Sequence, residues 1–443
     1  MDLFIKIAMF VTSLSLLILV HELGHFLTAR MFGVRVEKFY LFFNPWFSLA
    51  KFRIGETEFG IGWLPLGGYC KISGMIDESM DTEQMKEPPK PYEFRSKPAW
   101  QRLIIMTGGV IMNVVLAVAI YAGMSYKWGD RYIANDDLRY GYVFSELGHE
   151  AGFRDGDRVL LIGERQVGDF LNVPIQIVLD RAPVTVARGD ETVVVDIAPD
   201  IIARLLKSND EQRGFMIPRT PFVVAGVMES GGAATGGVMA GDSLVAINGV
   251  PMMFFDEFRR AFAEHRGTTA ELEVVRKGDY LTLPVEISDE GKIGVEPYSL
   301  IRFFPAQTHQ YGLLASVPMG FSKAGSEIRD FWKQLGLIVS PQTEAYKSLG
   351  GFITIGSIFP TTWNWRAFWS ITAFLSIMLA IINILPIPAL DGGHVMFLFW
   401  EVVTGRKPSD KFMEYAQITG LILVFALILY ANGNDIYRLF TRG

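Results

Sequence analysis

Only one cysteine, Cys70, occurs in the 443 residues. No disulfide can form within the chain, and cysteine pairing says nothing about its compartment. Histidine is scarce too, with six copies, so any two at metal-binding spacing carry weight. No basic surplus exists. Lys and Arg number 41 against 47 Asp and Glu, a net charge of −6, and a nucleic-acid partner is not expected. A cleaved signal peptide is not expected either. The N-terminal apolar stretch Leu3 to Ala29 covers about 27 residues, longer than the roughly 7–15 of a signal h-region. Ala29-Arg30-Met31 is a poor cleavage sequence.

Apolar sequence is plentiful. Half of the residues are hydrophobic and the mean hydropathy is +0.26, which suits membrane spans joined to soluble domains, in two or three units. Leu3–Ala29 is long enough to cross a bilayer of about 30 Å with some tilt. Three further spans are expected, near Leu103–Met124, Ala367–Leu390 and Tyr415–Tyr430. Four spans place both termini on one side. Arg30, Arg35, Lys38, Arg95, Lys97 and Arg102 flank the first two spans, and Arg406, Lys407 and Lys411 lie between the last two. The positive-inside rule makes both loops cytoplasmic. The acidic segment between spans two and three is then outside.

Within the first span stands His21-Glu22-Leu23-Gly24-His25. Histidines at i and i+4 share one helix face. Their rings can bind one Zn²⁺ and leave room for a third ligand and a water. Glu22 lies beside them as a general base for that water. The depth strengthens the reading, because ionisable groups in lipid are costly and mark function. At 1.5 Å per residue the two rings lie roughly 7–14 Å inside the end marked by Arg30.

The outer segment carries a repeat. Ala151–Ile162 matches Gly236–Ile247 at an offset of 85. Each copy ends in a two-stranded pattern, Val184–Ile197 around Arg188-Gly189-Asp190 and Leu272–Ile287 around Lys277-Gly278-Asp279. A repeat of this length means two similar small domains rather than a solenoid. The Gly241–Gly249 pattern resembles PDZ domains, which bind an extended peptide and its C-terminal carboxylate. Either the grooves take such C-termini or they are unused. Asp157 and Asp242 read as turn residues.

A third zinc ligand is expected from another span at similar depth. The third span ends in Asn383-Ile384-Leu385-Pro386-Ile387-Pro388-Ala389-Leu390-Asp391-Gly392-Gly393-His394. Pro386 and Pro388 break the helix and free backbone groups, which must line a cavity or bind something. Asp391 is the only carboxylate in the stretch and completes a two-His site. His394 either supports the site from behind or packs.

HELGH, tandem PDZ-like repeats and NILPIPALDGGH together resemble the site-2 protease family, peptidase M50, in its bacterial RseP-type branch. The resemblance spans nearly the whole chain. It implies one zinc ion on His21, His25 and Asp391, with Glu22 as base. It implies that Asn383 hydrogen-bonds the substrate backbone near the scissile bond, and Pro386 and Pro388 are expected to bind substrate with it. Phe52–Ile72 alternates and turns like a hairpin and resembles the family's membrane-reentrant β-loop. An edge strand there, with Gly67 and Gly68, would hold a substrate extended. Gly109–Asn113 resembles a family segment that packs closely beside the site. Asn113 either assists the catalytic groups or is structural. Val317–Val339 has amphipathic helical spacing, in a region that helps control substrate access in the family.

The expected fold is a multi-domain membrane protein with four transmembrane α-helices, a membrane-associated β-hairpin and two tandem PDZ-like α+β domains outside the membrane. The expected divisions are span one at 1–30, the loop with the hairpin at 31–102 and span two at 103–124. PDZ-like domains follow at 125–220 and 221–305, then an amphipathic region at 306–366. Span three takes 367–391, and a loop with span four takes 392–443. The expected function is intramembrane zinc proteolysis of a pre-trimmed single-span protein in the bacterial inner membrane. An anti-sigma factor remnant is the substrate type implied, with signal-peptide remnants as further candidates. The active site would lie nearer the cytoplasm and the PDZ-like pair in the periplasm. The competing class is an inactive membrane-anchored PDZ scaffold, which would have no need for HELGH and Asp391.

Overall fold

The computed structural model describes residues 2–65, 67–75, 87–207 and 215–441. Leu66, inside the expected hairpin, lies outside the described residues, as do 76–86 in the first loop and 208–214 in the first expected PDZ-like domain. The chain forms two compact units. One comprises Met1–Gly129, Gln310–Leu335 and Tyr346–Gly443, and the other Asp130–His309 with Gly336–Ala345.

In chain order the first unit holds α1 (Asp2–Met31), β1 (Val36–Leu41), β2 (Ala50–Ile54), β3 (Thr57–Ile61), β4 (Tyr69–Ile72) and α2 (Ala99–Trp128). Then come α3 (Leu313–Val339, as far as Leu335), α4 (Phe352–Ser357), α5 (Trp365–Ile384), α6 (Asp391–Thr404) and α7 (Asp410–Thr441). Among the described residues, four helices are long and apolar enough to span a membrane, at Asp2–Met31, Ala99–Trp128, Trp365–Ile384 and Lys411–Phe440. The third span stops six residues short of the expected Leu390. Pro386 cannot donate to a helical ladder and it disfavours α geometry at Leu385, whose ψ is 141°. The fourth is far longer than Tyr415–Tyr430, because polar Asn432, Asn434 and Asp435 continue the helix while bonding to neighbouring chain.

Small residues and hydroxyls join these helices, as expected where lipid supplies little hydrophobic drive for association. A Cβ on Gly24 of α1 would lie 2.2 Å from the Gly108 carbonyl oxygen of α2, so the two backbones nearly touch. Ser13 and Thr372 share a buried 2.9 Å hydrogen bond between α1 and α5. Ser376 of α5 donates to the Asn113 carbonyl of α2 at 2.8 Å.

The expected hairpin is corrected to a four-stranded mixed sheet in the order β2-β3-β1-β4. β2 and β3 do form a hairpin, with Ile54 opposite Thr57. The chain then crosses β1, which runs parallel to β3, and β4 pairs antiparallel with β1. Sequence reading missed β1, whose Glu37 and Lys38 interrupt an otherwise apolar run. Phe26 of α1 meets Phe39 and Phe59 edge-on, with centroids 5.6 and 5.7 Å away. This contact lays the sheet against α1.

The second unit contains one arrangement twice. Strands Arg158–Ile162, Arg165–Gln166, Val184–Arg188 and Glu191–Val195 form a sheet in the same spatial order as Ser243–Ile247, Val250–Pro251, Thr269–Arg276 and Asp279–Glu286. A second, two-stranded sheet accompanies each, Tyr142–Phe144 with Met216–Pro218 and Val224–Val227 with Val295–Pro297. The repeated aspartates have equivalent partners. Arg188 bonds Asp157 at 2.8 and 2.7 Å and the Gly152 carbonyl at 2.9 Å. Arg276 bonds Asp242 twice at 2.7 Å and the Gly237 carbonyl at 2.7 Å. These buried carboxylates hold a turn to a strand end.

Candidate metal centre

His21 and His25 project from one face of α1 and are both buried. Asp391 opens α6, directly after the proline break, where a carboxylate is favoured by the positive end of the helix dipole. Its Oδ2 lies 3.1 Å from His21 Nε2 and 3.3 Å from His25 Nε2, and the two Nε2 atoms are 3.3 Å apart. This is the only His, Cys, Asp and Glu cluster of metal-binding geometry among the described residues. Asp391 Oδ2 is buried without a hydrogen-bond donor. Ligands at 2.0–2.1 Å around a tetrahedral zinc stand about 3.3 Å from one another. The donor set and its spacing therefore fit a zinc ion.

The outer ring nitrogens explain the aim of the inner ones. His25 Nδ1 donates to the Ile105 carbonyl at 2.9 Å, which leaves the Nε2 lone pair facing Asp391. His21 Nδ1 lies 3.1 Å from the side-chain amide of Asn113, whose Oδ1 is otherwise buried without a partner. Turned through 180°, the Asn113 oxygen accepts the Nδ1–H, and His21 presents its Nε2 lone pair as His25 does. Gly109 clears the space beneath both rings. A Cβ there would sit 2.4 Å from His25 Nε2 and 2.6 Å from His21 Cε1.

A cavity of about 730 Å³ opens beside the cluster. Glu22, Gly67, Gly68, Asn383 and His394 line it together with His21, His25 and Asp391. Asn383 Nδ2 is 3.4 Å from His21 Nε2. The Glu22 carboxylate accepts a hydrogen bond from the Cys70 backbone, so β4 holds it from the sheet side. Gly68 permits this approach, since a Cβ there would lie 2.5 Å from Ile18 Cγ2 and 3.5 Å from Glu22 Cγ. At the proline break the cavity wall is formed by Ala389 and Leu390, with Pro386 and Pro388 set behind them. The prolines turn the chain so that the residues after them reach the site. Sequence reading missed the Ile105 carbonyl and Gln417, a buried amide of α7 that also lines the cavity. A lone amide inside an apolar span was the available signal for Gln417.

The profile of peptidase family M50 matches residues 9–427. The chain belongs to this family. It is accordingly an intramembrane zinc metalloprotease of site-2 type. Among its relatives, a protein of Neisseria meningitidis serogroup A named as a zinc metalloprotease is 28% identical over 97% of this chain and 98% of its own. The regulator of sigma-E protease RseP of Escherichia coli K12 is 27% identical over 98% of both chains. RseP of Salmonella typhimurium is 28% identical over 98% of this chain and 99% of its own.

Proposed function

We propose that this M50 protease holds one zinc ion on His21, His25 and Asp391, and cuts a single-span protein within or near its transmembrane segment. The observation that carries the assignment is the convergence of three ligand atoms at 3.1–3.3 Å around an otherwise orphaned carboxylate oxygen. When bound, zinc lowers the pKa of water and polarises a peptide carbonyl. Glu22 takes the proton from the attacking water and passes it to the leaving amine. Asn383, beside His21, hydrogen-bonds the substrate backbone at the reacting bond. A helix hides its own carbonyls, so the substrate must be extended there. β4 is an edge strand of its sheet and borders the cavity at Tyr69–Ile72. A peptide laid along that edge is held open by main-chain hydrogen bonds, with Gly67 and Gly68 leaving room beside it. Asn113 and the Ile105 carbonyl keep the two imidazoles aimed.

The substrate is a previously trimmed membrane protein of the anti-sigma factor type, as the sigma-E names of the relatives suggest; remnant signal peptides are a second class. The protein sits in a bacterial inner membrane with the site towards the cytoplasm, and the duplicated unit is a PDZ-like pair in the periplasm. The matching strand order of the two copies supports that last reading. The pair excludes bulky ectodomains.

Glu22→Gln should abolish cleavage while zinc content and thermal stability stay as in wild type. Membrane peptides that accumulate in cells carrying this variant then identify the substrates by mass spectrometry. Normal cleavage by Glu22→Gln would refute the assignment. Asp391→Ala should purify with little or no zinc; full occupancy would remove Asp391 from the ligand set.

A further inference from the structure

The turn that delivers Asp391 is backed by α7. Ala389, two residues before the carboxylate, has φ of +82°, a left-handed conformation that non-glycine residues adopt only when their surroundings impose it. Gln417 on α7 is buried, and its side-chain oxygen accepts the Ala389 N–H at 3.4 Å. Three residues further on, Gly420 meets the preceding peptide. A Cβ there would lie 1.7 Å from the Pro388 carbonyl oxygen and 2.2 Å from its carbon. Residues at i and i+3 share a helix face, so one face of α7 is fitted to one turn of backbone. Elsewhere α7 presents exposed apolar side chains such as Leu421, Ile422, Phe425 and Leu429. The catalytic chemistry gives Gln417 no role, yet it is a polar group at membrane depth bordering the cavity.

We propose that Gln417 and Gly420 are positioning residues for Asp391. The amide oxygen secures the Ala389 N–H, and the bare Cα of Gly420 lets the Pro388 carbonyl seat against α7. Together they fix the left-handed turn, and the turn fixes the direction in which Asp391 leaves it. The proposal rests on the reading of Asp391 as a zinc ligand. Loss of an outer support of this kind lowers metal affinity by about 10–100-fold.

The test uses the full-length zinc-loaded protein in detergent and follows zinc release to a chelating dye. Gln417→Leu and Gly420→Ala should lose zinc about 10–100-fold faster than wild type. Gln417→Glu keeps an acceptor oxygen at the same place and should release zinc close to the wild-type rate. Thr419→Ala, on an exposed position of the same helix where the hydroxyl bonds the Tyr415 carbonyl, should match wild type. Thermal unfolding of the zinc-free forms checks the fold; if Gly420→Ala does not fold, the Gln417→Leu and Gln417→Glu pair decides. Wild-type release from Gln417→Leu would overturn the proposal, as would failure of Gln417→Glu to rescue or equal loss in Thr419→Ala. A wild-type protein that binds no zinc would refute the reading of the centre itself, which the variant series does not address.

Discussion

Substituting Gly109 with alanine puts a methyl group where the two imidazoles stand. The new Cβ would lie 2.4 Å from His25 Nε2, 2.6 Å from His21 Cε1 and 2.8 Å from His21 Nδ1, whereas ordinary contact begins at 3.4 Å. No flexible side-chain end is available to give way. Both rings are buried, and each is held at its far nitrogen, by Ile105 and Asn113. Relief therefore requires a shift of about 1 Å in a ligand, while metal sites tolerate only about 0.2 Å in ligand distance. A misplacement of that size costs roughly 100-fold in rate, and the lost ligand weakens zinc binding as well. Gly123→Ala makes the same chemical change in the same helix, where a Cβ meets nothing within 4 Å. It should be neutral or stabilising by up to about 1 kcal/mol, from helix propensity. The assay measures zinc per protein by elemental analysis, and cleavage of a single-span reporter in vesicles. Gly109→Ala should lose at least 100-fold in cleavage and most of its zinc, with Gly123→Ala unchanged. A Gly109→Ala protein with full zinc and normal turnover would refute the packing argument.

Asn113→Leu removes the partner of His21 Nδ1. Zinc affinity should fall by about 10–100-fold in a competition titration, and an unchanged affinity would show that Asn113 is only structural. Asp242→Ala strips the second repeat of its charged bonds to Arg276 and to the Met239 N–H. It should cost at least about 1.5–3 kcal/mol in that unit, read by urea unfolding. The Arg276 guanidinium and that N–H hold the Asp242 carboxyl below its ordinary range. Its stabilisation is thus complete above the unfolded value near pH 4 and fades as pH falls through the lower folded value. Asp242→Asn should abolish this part of the acid dependence, and an unaltered pH profile would contradict the role given to Asp242.

HELGH was legible because it is local. Helix geometry alone brings His21 and His25 together, and no distant residue is needed to see it. Asp391 was legible for a different reason, as the one carboxylate beside a proline break in a late span. What escaped was chemistry carried by backbone. The Ile105 carbonyl bears no residue signature, and the contact of Gly420 with Pro388 is a fit between two main chains. The sheet was half read. Alternation revealed the β2–β3 hairpin, but the crossing through β1 depends on Phe39 and Phe59 meeting Phe26 of α1, a tertiary fact. Pro386 and Pro388 were rightly read as a break, yet a break turns chain, and the residues after it face the cavity.

The three proposed ligands come from opposite ends of the chain, so on this reading the centre exists only after the helices have packed. Lipid offers little drive for that packing, and the contacts must be specific. The Gly24–Gly108 approach brings α1 and α2 close enough for His25 to reach the Ile105 carbonyl. Ser376 then ties α5 to the main-chain carbonyl of Asn113, whose side chain orients His21 on α1. One residue thereby links three helices, so the aim of a ligand and the assembly of the bundle are parts of a single event. The polar groups that would be costliest in lipid are also those that specify how the helices meet. This gives a physical reason for a hydrolytic centre in such a bundle to draw on glycine, serine and asparagine contacts as well as on the apolar packing of Met9, Leu17, Ala117, Ile377 and Ile381.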